Sequence, residues 1–214
     1  MKNKLYSVLT LALVFGASAL HATPVTVTSF GALTNATFGG SGIPNTAVEI
    51  ATIANGNDTL TLGLTATPRY PNPVVGQPLP NVGNTFLAAV GQGLSPAGYS
   101  TWNFDYYIGI SQGASLANYV FDLLVTGPGL ASTLTIPLGA DYQDSSNIKY
   151  LGLDPNAAGE YTFELEAFEQ GSLVGTDTIN VSVPDATSTA LLLALGLGGL
   201  AVLRGAKVRT QNVA

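Results

Sequence analysis

From Pro24 to Val183 the chain alternates apolar and polar side chains with a period of two, and the alternation is broken at short intervals by Gly, Asn, Pro and Ser. A period of two puts one set of side chains on each face of an extended strand, so the pattern predicts half-buried β-strands. The predicted runs are Pro24–Phe30, Ala47–Ile53, Thr59–Ala66, Trp102–Ile110, Asn118–Thr126, Ser132–Leu138, Ile148–Leu153, Glu160–Phe168 and Thr176–Val183. In Trp102–Ile110 the residues Phe104, Tyr106, Ile108 and Ile110 share one face, and Asn103, Asp105, Tyr107 and Gly109 the other. Ala47–Ile53 and Thr59–Ala66 read as a hairpin across Asn55-Gly56-Asn57-Asp58, an Asn-Gly turn signal. Pro68, Pro71, Pro73, Pro78 and Pro80 predict a long extended surface loop over Thr67–Asn84. The expected fold is all-β, an antiparallel sandwich of eight to ten strands of jelly-roll or immunoglobulin-like kind. The aromatic-rich runs Trp102–Ile110 and Tyr119–Val125 are expected at the centre of its core.

Both ends depart from this pattern. Lys2 and Lys4 precede an apolar stretch, Leu5–Phe15, and small residues follow from Gly16 to Ala22, the layout of a secretory signal peptide. Ala17-Ser18-Ala19 and Leu20-His21-Ala22 both fit a cleavage site; the second is preferred because the strand pattern begins directly after it, which places cleavage between Ala22 and Thr23. At the other end Ala186–Leu203 carries no charge, and the run from Ala190 is apolar around its whole circumference. Such a run predicts a transmembrane helix over about 187–203 rather than an amphipathic surface helix. Arg204, Lys207 and Arg209 follow it and favour a cytoplasmic C-terminus. The organisation expected is therefore a signal helix at 1–22, an exported domain at 23–183, and a membrane-directed segment at 184–214.

Charge sharpens that division. Only 9% of the 214 residues are charged, and the formal net charge is −6, where about 25% charged is ordinary for a soluble domain. Between residues 23 and 183 only Arg69 and Lys149 are basic, against twelve acids, so the exported part stands near −10 and the ends are basic. The chain has no cysteine, which excludes disulfides, thiol nucleophiles and thiolate metal sites. Its single histidine, His21, lies in the expected signal peptide, so neither a Ser-His-Asp triad nor a His/Cys zinc site is expected. The lack of a basic patch speaks against nucleic acid as a partner.

Val183-Pro184-Asp185, the apolar span and the basic residues Arg204, Lys207 and Arg209 together resemble the PEP-CTERM family of bacterial sorting signals, in the variant whose signature begins Val-Pro-Asp. The resemblance covers about thirty residues, and the tail differs from the family's usual run of adjacent arginines. It implies export by the Sec machinery, insertion in the membrane, and handling by an exosortase, a membrane-embedded protease or transpeptidase. The domain would then reach the cell surface or extracellular matrix, where extracellular polysaccharide is an expected neighbour. Trp102-Asn103-Phe104-Asp105-Tyr106 and Gly159-Glu160-Tyr161-Thr162-Phe163 are similar to segments found ahead of such tails, for which no activity is implied.

The remaining chemistry is sparse. Glu160, Glu164 and Glu166 fall on one face of one strand, and side chains two apart project in the same direction, so a solvated acidic face is expected rather than a hydrolytic pair. Asn55, Asn57 and Asp58, or Asp141, Asp144 and Asp154, offer oxygen ligands of the type Ca²⁺ takes, but without a calcium-loop spacing. Tyr99, Trp102, Tyr106, Tyr107, Tyr142 and Tyr150 could supply a sugar-stacking platform or simply the core. No catalytic residue, metal ligand or cofactor is expected. The alternative role is carbohydrate binding.

Overall fold

A computed structural model describes residues 23–69, 77–93, 97–111, 114–138 and 142–185. The expected signal peptide, the span near 187–203 and the basic residues Arg204, Lys207 and Arg209 lie outside the described residues. Among the described residues no helix is long and apolar enough to cross a membrane.

The alternating runs fold into two β-sheets. In chain order the strands are β1 (Val25–Gly31), β2 (Val48–Asn55), β3 (Asp58–Pro68), β4 (Asn81–Val82), β5 (Thr85–Leu87), β6 (Trp102–Ile110), β7 (Tyr119–Thr126), β8 (Leu134–Pro137), β9 (Gln143–Asn147), β10 (Gly159–Glu169) and β11 (Ser172–Val183). One sheet has the order β1-β2-β3-β6-β9, the other β4-β5-β11-β10-β7-β8. Every named pair is antiparallel except β5 with β11, which is parallel. No short hairpin can join a parallel pair, and β5 and β11 are far apart in sequence.

Turn chemistry fixes the two long hairpins. β2 and β3 close through Gly56-Asn57, with Asn55 paired to Asp58 and Gly56 at φ 61, so glycine takes the first central position as in a II′ turn. The Asn-Gly signal points one residue early: Asn55 is still in the ladder. β10 and β11 close through Gln170 (φ 51) and Gly171 (φ 77), both left-handed as an I′ turn requires. A register shift at Ala167/Phe168 then sets Leu173 opposite Phe168 and Gly175 opposite Ala167, leaving Val174 as the extra residue of a bulge.

The inward face of each strand builds the core. Trp102, Phe104, Tyr106 and Ile108 of β6 meet Tyr161, Phe163 and Leu165 of β10, all buried. The Phe104 and Phe163 rings stack at 4.7 Å, and Trp102 stands edge-on to Tyr161 and Phe163 at 5.6 and 6.1 Å. Burying each such side chain contributes roughly 1.5–3 kcal/mol, so the expected aromatic centre carries the sandwich.

Three expectations are corrected. Ile148–Leu153 is not a strand: Ile148–Leu151 is a 3-10 turn, because the Asn147 side chain accepts from the Lys149 N–H and Gly152 closes the turn at φ 75. The strand of that region is β9, just before it, in a stretch with no apolar alternation. The outer face of β6 is not solvated, since Asn103 and Asp105 are buried. Near Tyr107 the segment between β1 and β2 folds over the sheet, burying Ala36, Phe38 and Val48 with Leu33, Ile43 and Tyr107 beside them. Gly63 allows this cover, because a Cβ there would stand 2.7 Å from Leu33 Cδ2. The proline-rich loop is shorter than Thr67–Asn84, since Thr67 and Pro68 end β3 and Asn81–Val82 form β4.

Candidate functional site

Val183-Pro184-Asp185, the expected sorting motif, lies at the end of β11. β11 lies between β5 and β10, and its last residue, Val183, is buried and paired with Gly159. Pro184 and Asp185 follow directly and are exposed. Proline has no N–H to donate to a ladder and pushes the residue before it to extended geometry, so the strand stops where the motif begins. A shallow concavity beside it is lined by Gly159, Glu160, Ser182, Val183, Pro184 and Asp185. The chain enters at the opposite end: Pro24 lines a cavity of about 260 Å³ with Asn55, Glu169, Gln170 and Ser172, next to the β10–β11 turn. β11 is twelve residues long, so at about 3.3 Å per residue the two ends stand roughly 40 Å apart.

At the entry end, a side-chain chain links three hairpins. Asn55 Nδ2 donates to Glu169 Oε2 at 2.8 Å and to the Tyr119 hydroxyl at 3.2 Å, and that hydroxyl donates to Asp58 Oδ2 at 2.9 Å. Asn55 and Asp58, candidate oxygen ligands, are thus occupied in tying β2–β3 to β7 and β10, while Asn57 is exposed in the turn. Asp144 is exposed on β9, and Asp154 accepts from the N–H and Nδ2 of Asn156 as an Asx turn does. Asp141 lies outside the described residues. Among the described residues no three His, Cys, Asp or Glu side chains are grouped to hold a metal.

Glu160, Glu164 and Glu166 share the outer face of β10 as expected, with Glu160 exposed and the other two half-buried. Glu166 lies opposite Asp122 of β7. Desolvation first, then the Glu164 and Asp122 charges, raise its pKa above the usual carboxylate range.

The aromatic set divides. Trp102 and Tyr106 are core, Tyr107 packs under the β1–β2 segment, and Tyr142 and Tyr150 are 45% and 69% exposed. Tyr150 meets Tyr99 edge-on at 5.5 Å with their hydroxyls 3.1 Å apart, and Lys149 Nζ lies 4.5 Å from the Tyr99 ring centre. The result is a small cationic-aromatic ledge on the 3-10 turn.

Two buried acids were not singled out as candidates from the sequence, which placed Asp105 only on the outer face of β6. Asp105 is fully buried; Thr67 Oγ1 donates to its Oδ2 at 2.7 Å, and its Oδ1 has no partner. Burial pushes its carboxyl up to about 7, against the opposing pull of Ser145, Thr67 and Arg69. Asp177 of β11 faces the core at 1% exposure; its Oδ1 accepts from the Thr178 N–H, and its Oδ2 has no partner. Burial, then the Glu49 charge, push Asp177 up to about 8. The only sequence signal was parity: Asp177 is in step with the buried Ile179, Val181 and Val183. Beside Asp105, Asn147 works as a hub. Its Oδ1 accepts from the Ser100 N–H at 3.0 Å, and its Nδ2 reaches the carbonyls of Ser100 and Trp102 and the Asn103 Oδ1 at 2.8–3.1 Å.

Comparison of the chain with protein-family models, curated proteins and solved structures finds no match.

Proposed function

We propose that this chain is an exported cell-surface or extracellular-matrix protein, delivered by the Sec machinery, held by its C-terminal segment and processed there by an exosortase. Its own part is structural or adhesive rather than catalytic. One observation carries the reading: β11, the last described strand, runs into the motif itself, with Val183 paired in the ladder and Pro184-Asp185 exposed. Only Ala186-Thr187-Ser188-Thr189 separates that point from the apolar run. An extended, accessible peptide between a rigid domain and a membrane is what a membrane-embedded protease needs. In this reading a transmembrane helix at about 187–203 follows, with Arg204, Lys207 and Arg209 on the cytoplasmic side. The sandwich then belongs to the jelly-roll or immunoglobulin-like kind.

The test is the intact mass of the protein recovered from the cell surface. The expected mass begins at Thr23 and lacks the apolar run, with any anchor group as an added increment. Replacing Arg204, Lys207 and Arg209 together by neutral residues is expected to leave an unprocessed precursor. A surface protein that keeps residues 186–214, with topology indifferent to that replacement, would sink the reading.

The Tyr99–Tyr150–Lys149 ledge favours a second role, retention of extracellular polysaccharide, since exposed rings stack on sugars. Binding to purified exopolysaccharide that vanishes in Tyr150→Ala supports it; binding unchanged by that substitution removes it.

A further inference from the structure

We propose that the flank formed by β1 and the β4–β5 pair joins the same flank of a second copy of this chain, with β1 paired antiparallel to β1. The four sheet edges are not alike. β4 has two residues behind Pro80, β8 has four and includes Pro137, and β9 has five, carries Asp144 and takes contacts from the Thr37 and Phe38 N–H groups on Gln143. Short length, proline and charge are how sheets keep edges from pairing. β1 has none of these: Val25–Gly31 is seven residues without proline or charge, and its first six are exposed.

Apolar exposure gathers on the same flank. Among the described residues nine large hydrophobics are exposed, and Val25, Val27, Phe30, Val82 and Leu87 belong to β1, β4 and β5. The Phe30 and Phe86 rings lie 6.2 Å apart and place β5 beneath β1. Charge chooses the occupant. The part between residues 23 and 183 stands near −10, and neither Val25–Gly31 nor Asn81–Leu87 contains a charged residue. A basic partner would go to the acidic outer face of β10; a like-charged copy must approach where exposed acids are few, and on this flank the neighbouring acid, Glu49 opposite Phe30 on β2, is half-buried.

Full overlap of two antiparallel β1 strands sets Thr28 against Thr28, Val27 against Ser29 and Thr26 against Phe30. Thr26 and Phe30 share a face, so the register gives two β-branched–aromatic cross-strand pairs. A seven-residue edge falls short of the roughly 1,200 Å² that stable interfaces bury, so each contact is weak and works where copies are crowded. β1 starts beside the β10–β11 turn and runs in the same sense as β11. Antiparallel pairing therefore points the two Val183 ends in opposite directions. If the domain stands on its C-terminal segment, which rests on the sorting reading, two copies in one membrane cannot pair this way. The contact would join copies on facing surfaces, or released copies.

The absence of cysteine makes the test clean. Full-length chain in detergent, where sorting plays no part, is treated with mild oxidant as Thr28→Cys, Val25→Cys or Val120→Cys, the last on exposed β7. Facing residues of an antiparallel pair have Cα atoms about 4.5–5.5 Å apart, within the range a disulfide spans. Thr28→Cys is expected to form covalent dimer about tenfold faster than the other two, an excess set by local concentration, and adding Val27→Lys is expected to abolish that excess. Retained Trp102 fluorescence shows that each variant folds. Equal rates for all three overturn the proposal, and Val25→Cys matching Thr28→Cys would show parallel pairing and overturn the opposed arrangement.

Discussion

Replacing Asp177 by Asn should stabilise the protein most at and above about pH 8 and remove the Asp177 share of its pH dependence between about pH 4 and pH 8. In the folded state the carboxyl is buried in the core beside Glu49, with one oxygen unpartnered, and it is held at about 8 against an ordinary 3.8. An acid raised in the folded state binds its proton more tightly there than in the unfolded chain. Between the two values the native state holds more protons, so stability is present in full below about pH 4 and falls as pH rises through about 8. A displacement of that size would be worth roughly 6 kcal/mol in a rigid interior. Relaxation and water entry beside the half-buried Glu49 bring this to about 2–3 kcal/mol. Asp105, held at about 7, adds in the same direction over a slightly lower range. For a domain of this size 1 kcal/mol moves Tm by about 2–4 °C, so wild-type Tm should fall by about 5–12 °C between pH 5 and pH 9. Thermal unfolding followed by Trp102 fluorescence is the assay, since this one tryptophan is 1% exposed in the core. The amide introduced by Asp177→Asn keeps an acceptor for the Thr178 N–H and cannot ionise. A wild-type Tm that holds or rises from pH 5 to 8, or a variant less stable than wild type at pH 8.5, would refute the reasoning.

Two further substitutions test the packing. Asn147→Ala removes the hub that satisfies Ser100 and the Trp102 carbonyl and should cost about 2–4 kcal/mol in chemical denaturation, because several buried backbone groups lose their partners; a cost under about 0.5 kcal/mol would show that water replaces it. Gly127→Ala drives a Cβ into Tyr161 Cδ1, against the edge of the Trp102 cluster. It should cost about 1–3 kcal/mol through overpacking, and an unchanged unfolding midpoint would mean that the Tyr161 ring moves aside freely.

Elements with clean alternation were legible to within a residue or two. Trp102–Ile110 matches β6, and Asn118–Thr126 misses β7 by one, because their inward faces are large and apolar while β-branched and aromatic residues favour the pleat. β9 was not legible: Gln143–Asn147 is polar throughout, and it holds its place through pairing with β6 and the Asn147 hub, both long-range. The cover over Gly63 was hidden for the same reason, since nothing local in residues 32–47 says which face they fold onto. β11 began earlier than its alternation because the bulge at Val174 resets parity, turning one twelve-residue strand into an apparent eight. Of the candidate site, the motif was readable from order along the chain, whereas its position at the last ladder pair was not.

Asp105 and Asp177 bear on where so sparsely charged a domain carries its surface charge. Of the twelve acids between residues 23 and 183, Asp105 and Asp177 are buried, and burial raises both carboxyls toward the protonated form, which draws their charge away from the surface. Four of the other ten, Glu160, Glu164, Glu166 and Asp122, gather on β10 and its neighbour β7, where they repel one another and any second acidic copy. Repulsion of that kind falls off within about 8 Å at physiological salt, which is less than the width of the sandwich. It guards the β10 face and leaves the β1 flank open. Raising salt should therefore relieve contacts through the β10 face while barely altering those through β1, because the β1 strand has no charge to screen. Oxidative cross-linking of Thr28→Cys at low and high salt separates the two: a rate that changes little supports uncharged edge pairing, and a steep salt dependence would move the contact to the acidic face.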